Sequence, residues 1–183
     1  MRLPNLTPAD APDDPLDIDS LYRLHAEAVA RWAARLGGPS IDVDDVVQEV
    51  FLVARRRLRS IGGPAKVTTW LFRATQRIVL AARRKARRRR WLSRLPPDLA
   101  PVLPRTRPTP LEAVERQELA AATYALLDRL SEQQRRVLIL FEMEGMSTEE
   151  IATLTGARPV SVRVQLHRAR ERFAALFEEW EKR

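Results

Sequence analysis

Between Met146 and Glu171 the chain is written as two helices around a tight turn, and few other folds accept that pattern. Ser147 followed by Glu150 is a capping box: the hydroxyl takes an orphan amide of the first turn and the carboxylate reaches back to the serine amide. Ile151, Ala152 and Leu154 give the first helix a short apolar face, and Gly156 supplies the permissive backbone for the reversal. Pro159 pre-sets φ at the opening of the second helix. There Val162, Leu166, Ala169, Phe173, Leu176 and Trp180 recur at helical spacing, a single buried stripe, leaving Ser161, Arg163, Val164, His167, Arg168 and Arg170 on the other face. This is a helix-turn-helix. Its basic face suits a DNA major groove, where arginine bonds guanine edges and its neighbours grip phosphate; the bland alternative is an amphipathic pair with a solvated basic face.

The balance of charge supports an anionic partner. A formal net charge of +8 with a pI near 11.0 points first to nucleic acid and second to an acidic membrane surface. With no cysteine and only His25 and His167, the chain offers no disulfide and no thiolate or histidine cluster for zinc or iron, so no metal site is expected. No apolar run approaches the roughly 20 residues that span a bilayer, and the amino terminus lacks a charged, then apolar, leader. A cytoplasmic protein without stable membrane insertion is expected.

The 183 residues read as two small all-α domains on a tether. Residues 1–15, with Pro4, Pro8, Pro12 and Pro15 among Asp10, Asp13 and Asp14, form an acidic, proline-rich leader. A first domain covers residues 16–92. Its first helix carries Leu21, Leu24, Ala28, Trp32 and Leu36 on one face, with His25 beside it as a packing or surface residue, and stops at Gly37-Gly38-Pro39. Asp42 caps a second helix, Val43 to about Ser60, with an inner stripe of Val43, Val46 or Val47, Val50, Ala54 and Leu58. The outer surface of that helix is sorted by charge. Asp44, Asp45, Gln48 and Glu49 precede Arg55, Arg56, Arg57 and Arg59, which fits either a helix dipole in solvent or an acidic docking patch.

After Gly62-Gly63-Pro64, a loop leads to Thr68 or Thr69 as the cap of a long third helix, Trp70 to about Trp91. Trp70, Leu71, Ala74, Ile78 and Ala81 are its expected buried side, and Thr69, Arg73, Gln76, Arg77 and Leu80 its exposed one. Arg83, Arg84, Lys85 and Arg87 to Arg90 make a basic run dense enough to bind polyphosphate without sequence preference. Residues 93–110 hold six prolines and almost no apolar periodicity, a partly extended linker. The second domain, residues 111–183, opens at the capping box of Thr109-Pro110-Leu111-Glu112, continues with Leu111, Val114, Leu119, Leu126, Leu127 and Leu130, and caps its next helix with Ser131 before reaching the helix-turn-helix. No segment alternates as a strand should.

In this arrangement the chain resembles the bacterial extracytoplasmic function (ECF) sigma factors of the sigma-70 family, over about residues 16–180. Asp42 through Phe51 looks like the family's polymerase-docking helix, Thr69 through Ala74 like its promoter-melting signature, and Leu130 through Glu171 like its −35 recognition domain. The resemblance implies two helical domains, regions 2 and 4. It also implies that Asp44, Asp45, Gln48 and Glu49 contact the β′ coiled-coil of core RNA polymerase, with the β flap as a second polymerase contact. Lys66, Thr69, Trp70, Arg73, Gln76, Arg77 and Arg84 would then read the −10 element, where an unstacked base is captured at a cost of a few kcal/mol. Arg77 departs from the asparagine common at that position. Arg163, Val164 and His167 would contact −35 bases, with Arg158, Ser161 and Arg168 on phosphates. A cognate anti-sigma factor is the further partner that the resemblance implies.

No catalytic residue and no cofactor are expected, because polymerase supplies the phosphodiester chemistry. A free-standing helix-turn-helix regulator is the alternative reading; it leaves the acidic patch, the tryptophan signature and the presence of a second, tethered domain without a role. A nucleic-acid enzyme would need clustered carboxylates or a metal set that the motifs do not supply, and an RNA chaperone built on the arginine run would not need the ordered pattern of residues 158–171.

Overall fold

The computed structural model describes residues 17–57, 64–92 and 111–182. The leader and the 93–110 linker of the sequence reading lie outside them. The described residues form seven helices and no strand: α1 (Ile18–Gly37), α2 (Val43–Arg57), α3 (Pro64–Leu92), α4 (Leu111–Leu127), α5 (Glu132–Glu142), α6 (Thr148–Thr155) and α7 (Pro159–Glu181).

Helices α1 to α3 pack mutually around Leu21, Val29, Trp32, Val46, Val50, Ala54, Leu71 and Phe72, all at most 2% exposed. Trp32 meets Phe72 edge to face at 5.3 Å, the geometry that the ring quadrupoles favour. The amide groups of Asp44 and Asp45 donate to Asp42 Oδ1 at 3.0 and 3.1 Å, which closes the first turn of α2 as its sequence foretold.

Three expectations for this half need correction. Helix α3 begins at Pro64, several residues before the threonine cap. Proline at a first helical position costs no hydrogen bond, and burying Val67, 1% exposed, holds the extra turn in the helix. The buried side of α3 is consequently turned: Val67, Leu71, Phe72, Thr75 and Val79 are buried, Trp70, Ala74 and Ile78 only partly so, and Ala81 is exposed. On α1, Leu24 is 65% exposed and Val29 takes the core position instead.

Helices α4 to α7 build the second half. Ser131 and Gln134 form a reciprocal capping box on α5, and Ser147 and Glu150 form another on α6. Val137, Leu138, Ile139 and Leu140 of α5 meet Ile151 and Leu154 of α6 and Val162, Leu166, Ala169 and Leu176 of α7 in one buried cluster. Leu119 and Trp180, expected inside, are 60% and 45% exposed. Gly156 ends α6 at φ +72°, a left-handed position that a side chain would strain.

The two halves also touch, α1 on α5 and α3 on α6.

Candidate nucleic-acid interface

Three exposed faces collect the residues that the sequence singled out. On α7, Arg158, Ser161, Arg163, Val164, His167 and Arg168 are all exposed, opposite Val162, Leu166 and Ala169, which face the core. Arg158 is the N-cap residue and makes no side-chain cap bond, and Pro159 follows it at the first helical position. Arg163 is engaged by α6: its Nη1 donates to Glu149 Oε1 at 3.2 Å, with both side chains more than half exposed. The Thr148 hydroxyl, the backbone and then Arg163 hold the Glu149 carboxyl below its ordinary range. His167 Nε2 stands 3.4 Å from Glu171 Oε1 one turn on, an ion pair when the imidazole is protonated. The face therefore presents cations on an exposed helix, two of them, Arg163 and His167, beside carboxylates.

On α3, Lys66, Thr69, Trp70, Arg73, Gln76, Arg77 and Arg84 recur one, three or seven residues apart and share one side of the helix. Lys66, Arg73, Arg77 and Arg84 are exposed, Thr69 and Gln76 half-buried. Trp70 packs against the core cluster while part of its ring reaches the surface, so it anchors the helix as well as lining the face. Arg83, one of the basic run, is only 15% exposed: its Nη1 donates to Glu132 at 2.9 Å and its Nη2 to Asp128 at 2.9 Å.

On α2, Asp44, Asp45, Gln48 and Glu49 are exposed, and Leu52, 41% exposed, follows them on the same side. The sequence reading passed over Leu52, although its place one turn beyond Gln48 and Glu49 gave the signal. Carboxylates repel DNA phosphates, so this face does not suit DNA, and an exposed leucine beside them offers a protein partner an apolar contact.

The sequence reading also missed a belt of polar contacts between the halves. Arg135 is 2% exposed; its Nη1 donates to Asp128 Oδ1 at 2.8 Å, its Nη2 to the Leu36 carbonyl at 3.0 Å, and its guanidinium lies 5.4 Å from the Tyr124 ring centroid. Burial above all, and then Arg83, lowers its pKa to about 10 against the pull of Asp128, Glu132 and Tyr124. The Tyr124 hydroxyl donates to the Arg35 carbonyl at 3.1 Å, and its ring covers Gly38, where a Cβ would come within 2.6 Å. Burial raises the Tyr124 pKa against Arg135 and Arg35. Glu144, 7% exposed, takes Arg31 at 3.1 Å and Arg35 at 3.0 Å.

Known proteins are similar to this chain. The family model for sigma-70 region 2 matches residues 21–89 and that for sigma-70 region 4 matches residues 120–173. The chain is 35% identical over 154 residues to the ECF RNA polymerase sigma factor SigE of Mycolicibacterium smegmatis, covering 84% of this chain and 58% of that protein. It is 31% identical over 172 residues to the ECF RNA polymerase sigma factor SigM of Mycobacterium tuberculosis, covering 93% of this chain and 82% of that one. Among solved structures, CnrH in complex with the cytosolic domain of CnrY is similar at a TM-score of 0.55 and 28% identity, over 88% of each chain.

Proposed function

This chain belongs to the ECF RNA polymerase sigma factors of the sigma-70 family, alternative sigma factors of transcription initiation, and we propose that it divides that task among three faces. Region 2, residues 16–92, docks on core polymerase through Asp44, Asp45, Gln48 and Glu49 of α2, with Leu52 as an apolar anchor. It reads and helps to open the −10 element with Lys66, Thr69, Trp70, Arg73, Gln76, Arg77 and Arg84 of α3. Region 4, residues 111–183, reads the −35 element with Arg163, Val164 and His167 on base edges and Arg158, Ser161 and Arg168 on phosphates. Residues 93–110 tether the two. Polymerase carries out the bond chemistry, and the chain positions it.

The observation that carries the reading is the separation of charge between faces. Carboxylates and one leucine crowd the exposed start of α2, while the exposed sides of α3 and α7 present arginines. A free-standing DNA-binding regulator has no use for the first face. An apolar groove of about 440 Å³ between α4, α5 and α7, lined by Leu127, Leu138, Met143, Phe173 and Phe177, gives the β flap a place to seat a helix. CnrH has been solved with the cytosolic domain of another protein, CnrY; a cognate anti-sigma factor that grips both regions is the corresponding partner here.

Docking is tested by co-purification of core RNA polymerase with this chain and with Asp45→Arg combined with Glu49→Arg. Both positions are exposed, so helicity stays unchanged and polymerase is lost. Retention of polymerase by the folded double variant removes the docking assignment.

A further inference from the structure

The cations on the α7 face differ in whether an acid stands beside them. Arg163 and His167, assigned above to base edges, have Glu149 and Glu171 as neighbours, whereas Arg158 and Arg168, assigned to phosphates, form no ion pair among the described residues. Glu171 lies on α7 itself, one turn beyond His167, but Glu149 comes from the first turn of α6. Both of its oxygens are engaged: Oε2 takes the Thr148 hydroxyl at 2.9 Å and Oε1 takes Arg163 Nη1 at 3.2 Å. The Thr148 hydroxyl above all keeps this carboxyl below its ordinary range, so it is charged at neutral pH. Among the described residues this is the one side-chain hydrogen bond of Arg163. Its Nε and Nη2 remain, a side-on fork able to span the O6 and N7 acceptors of guanine.

A free arginine beside DNA is drawn to the nearest phosphate, because the backbone carries the charge and the base edges do not. A carboxylate next to the guanidinium cancels much of that pull and repels phosphate in its own right. The directional hydrogen bonds of a base edge are then the better partner. We propose that Glu149 is a specificity-determining positioning residue: from the first turn of α6 it holds Arg163 off the phosphates and aims its remaining fork at a base of the −35 element. Glu149 thereby lowers affinity for DNA in general and raises the preference for one sequence. The inference rests on the assignment of α7 to the −35 element.

The test uses holoenzyme assembled from core RNA polymerase and the full-length chain, carrying Glu149→Gln, Arg163→Ala or both, each chain checked for native helicity. Fluorescence anisotropy follows binding to duplexes that vary the base at each −35 position, and to a duplex with a scrambled −35 sequence, at several salt concentrations. Glu149→Gln keeps the shape of the side chain and removes its charge. It should lower preference at the position read by Arg163 about two- to fivefold. It should also tighten binding to the scrambled duplex and steepen the salt slope by about 1, as Arg163 moves to a phosphate. In the Arg163→Ala background the same substitution should leave base preference unchanged. Unchanged preference in the single variant overturns the inference. So does weaker binding to every duplex alike, which marks a structural residue, and so does a loss of preference that persists without Arg163. Arg163→Ala with no effect on preference at any position refutes the base-reading assignment itself and takes this inference with it.

Discussion

Replacing Arg163 by alanine separates recognition from stability. In the free protein Arg163 is more than half exposed and its one ion pair, 3.2 Å to an equally exposed Glu149, is screened by solvent. Such pairs contribute about 0.2–1 kcal/mol, so Arg163→Ala should shift the urea midpoint little. Its loss at the promoter is larger. An arginine bonded to a guanine edge discriminates by about 1–3 kcal/mol, and so the variant holoenzyme should lose about 5- to 150-fold in preference between duplexes that differ at one −35 position. Fluorescence anisotropy on such a duplex series, at several salt concentrations, reads both effects. A loss that is equal for every sequence, with the salt slope reduced by about 1, shows a phosphate contact and refutes the base-reading role.

Other substitutions probe the framework. Ser147→Ala removes the acceptor of the Glu150 amide and should cost about 1 kcal/mol in thermal unfolding, with Glu150→Ala adding less in the double variant than it costs alone, because the two bonds are reciprocal. Arg135→Ala leaves the Leu36 carbonyl without this donor and Asp128 with Arg83 alone, and should cost about 2–3 kcal/mol in urea unfolding, whereas Arg135→Met keeps the buried stem and should cost clearly less. Burial lowers the pKa of His25 below its ordinary 6.5. The unfolded chain therefore binds this proton at a higher pH than the folded one, and stability falls as pH drops below about 6.5; His25→Gln should flatten that limb of a stability profile.

Local signals in the sequence located helix ends in the second half, though not which side of α4 and of the end of α7 is buried. The serine cap at Ser131, the capping box at Ser147, Gly156 and Pro159 each act within four residues, and the structure places helix ends at all of them. Helix α3 was harder, because Pro64 and Thr68 both announce a helix start and only the burial of Val67 decides between them. That early start also explains the turned face: with Val67 inside, Leu71, Thr75 and Val79 follow at steps of four. The belt between the halves was not legible at all. Arg83 reads as one more cation in a basic run, and its acids lie 45 and 49 residues away along the chain. Arg135 likewise looks like a solvated residue of α5 until the Leu36 carbonyl, 99 residues distant, is brought to it.

The central claim is that this chain directs core RNA polymerase to promoters. Run-off transcription with purified bacterial core polymerase, with and without the chain, on promoter fragments from its own genome tests it most directly. The account predicts transcripts from a small set of promoters only when the chain is present, and these define its −35 and −10 elements. An absence of chain-dependent transcripts, together with polymerase-independent binding to particular duplexes, would contradict it and identify a free-standing regulator.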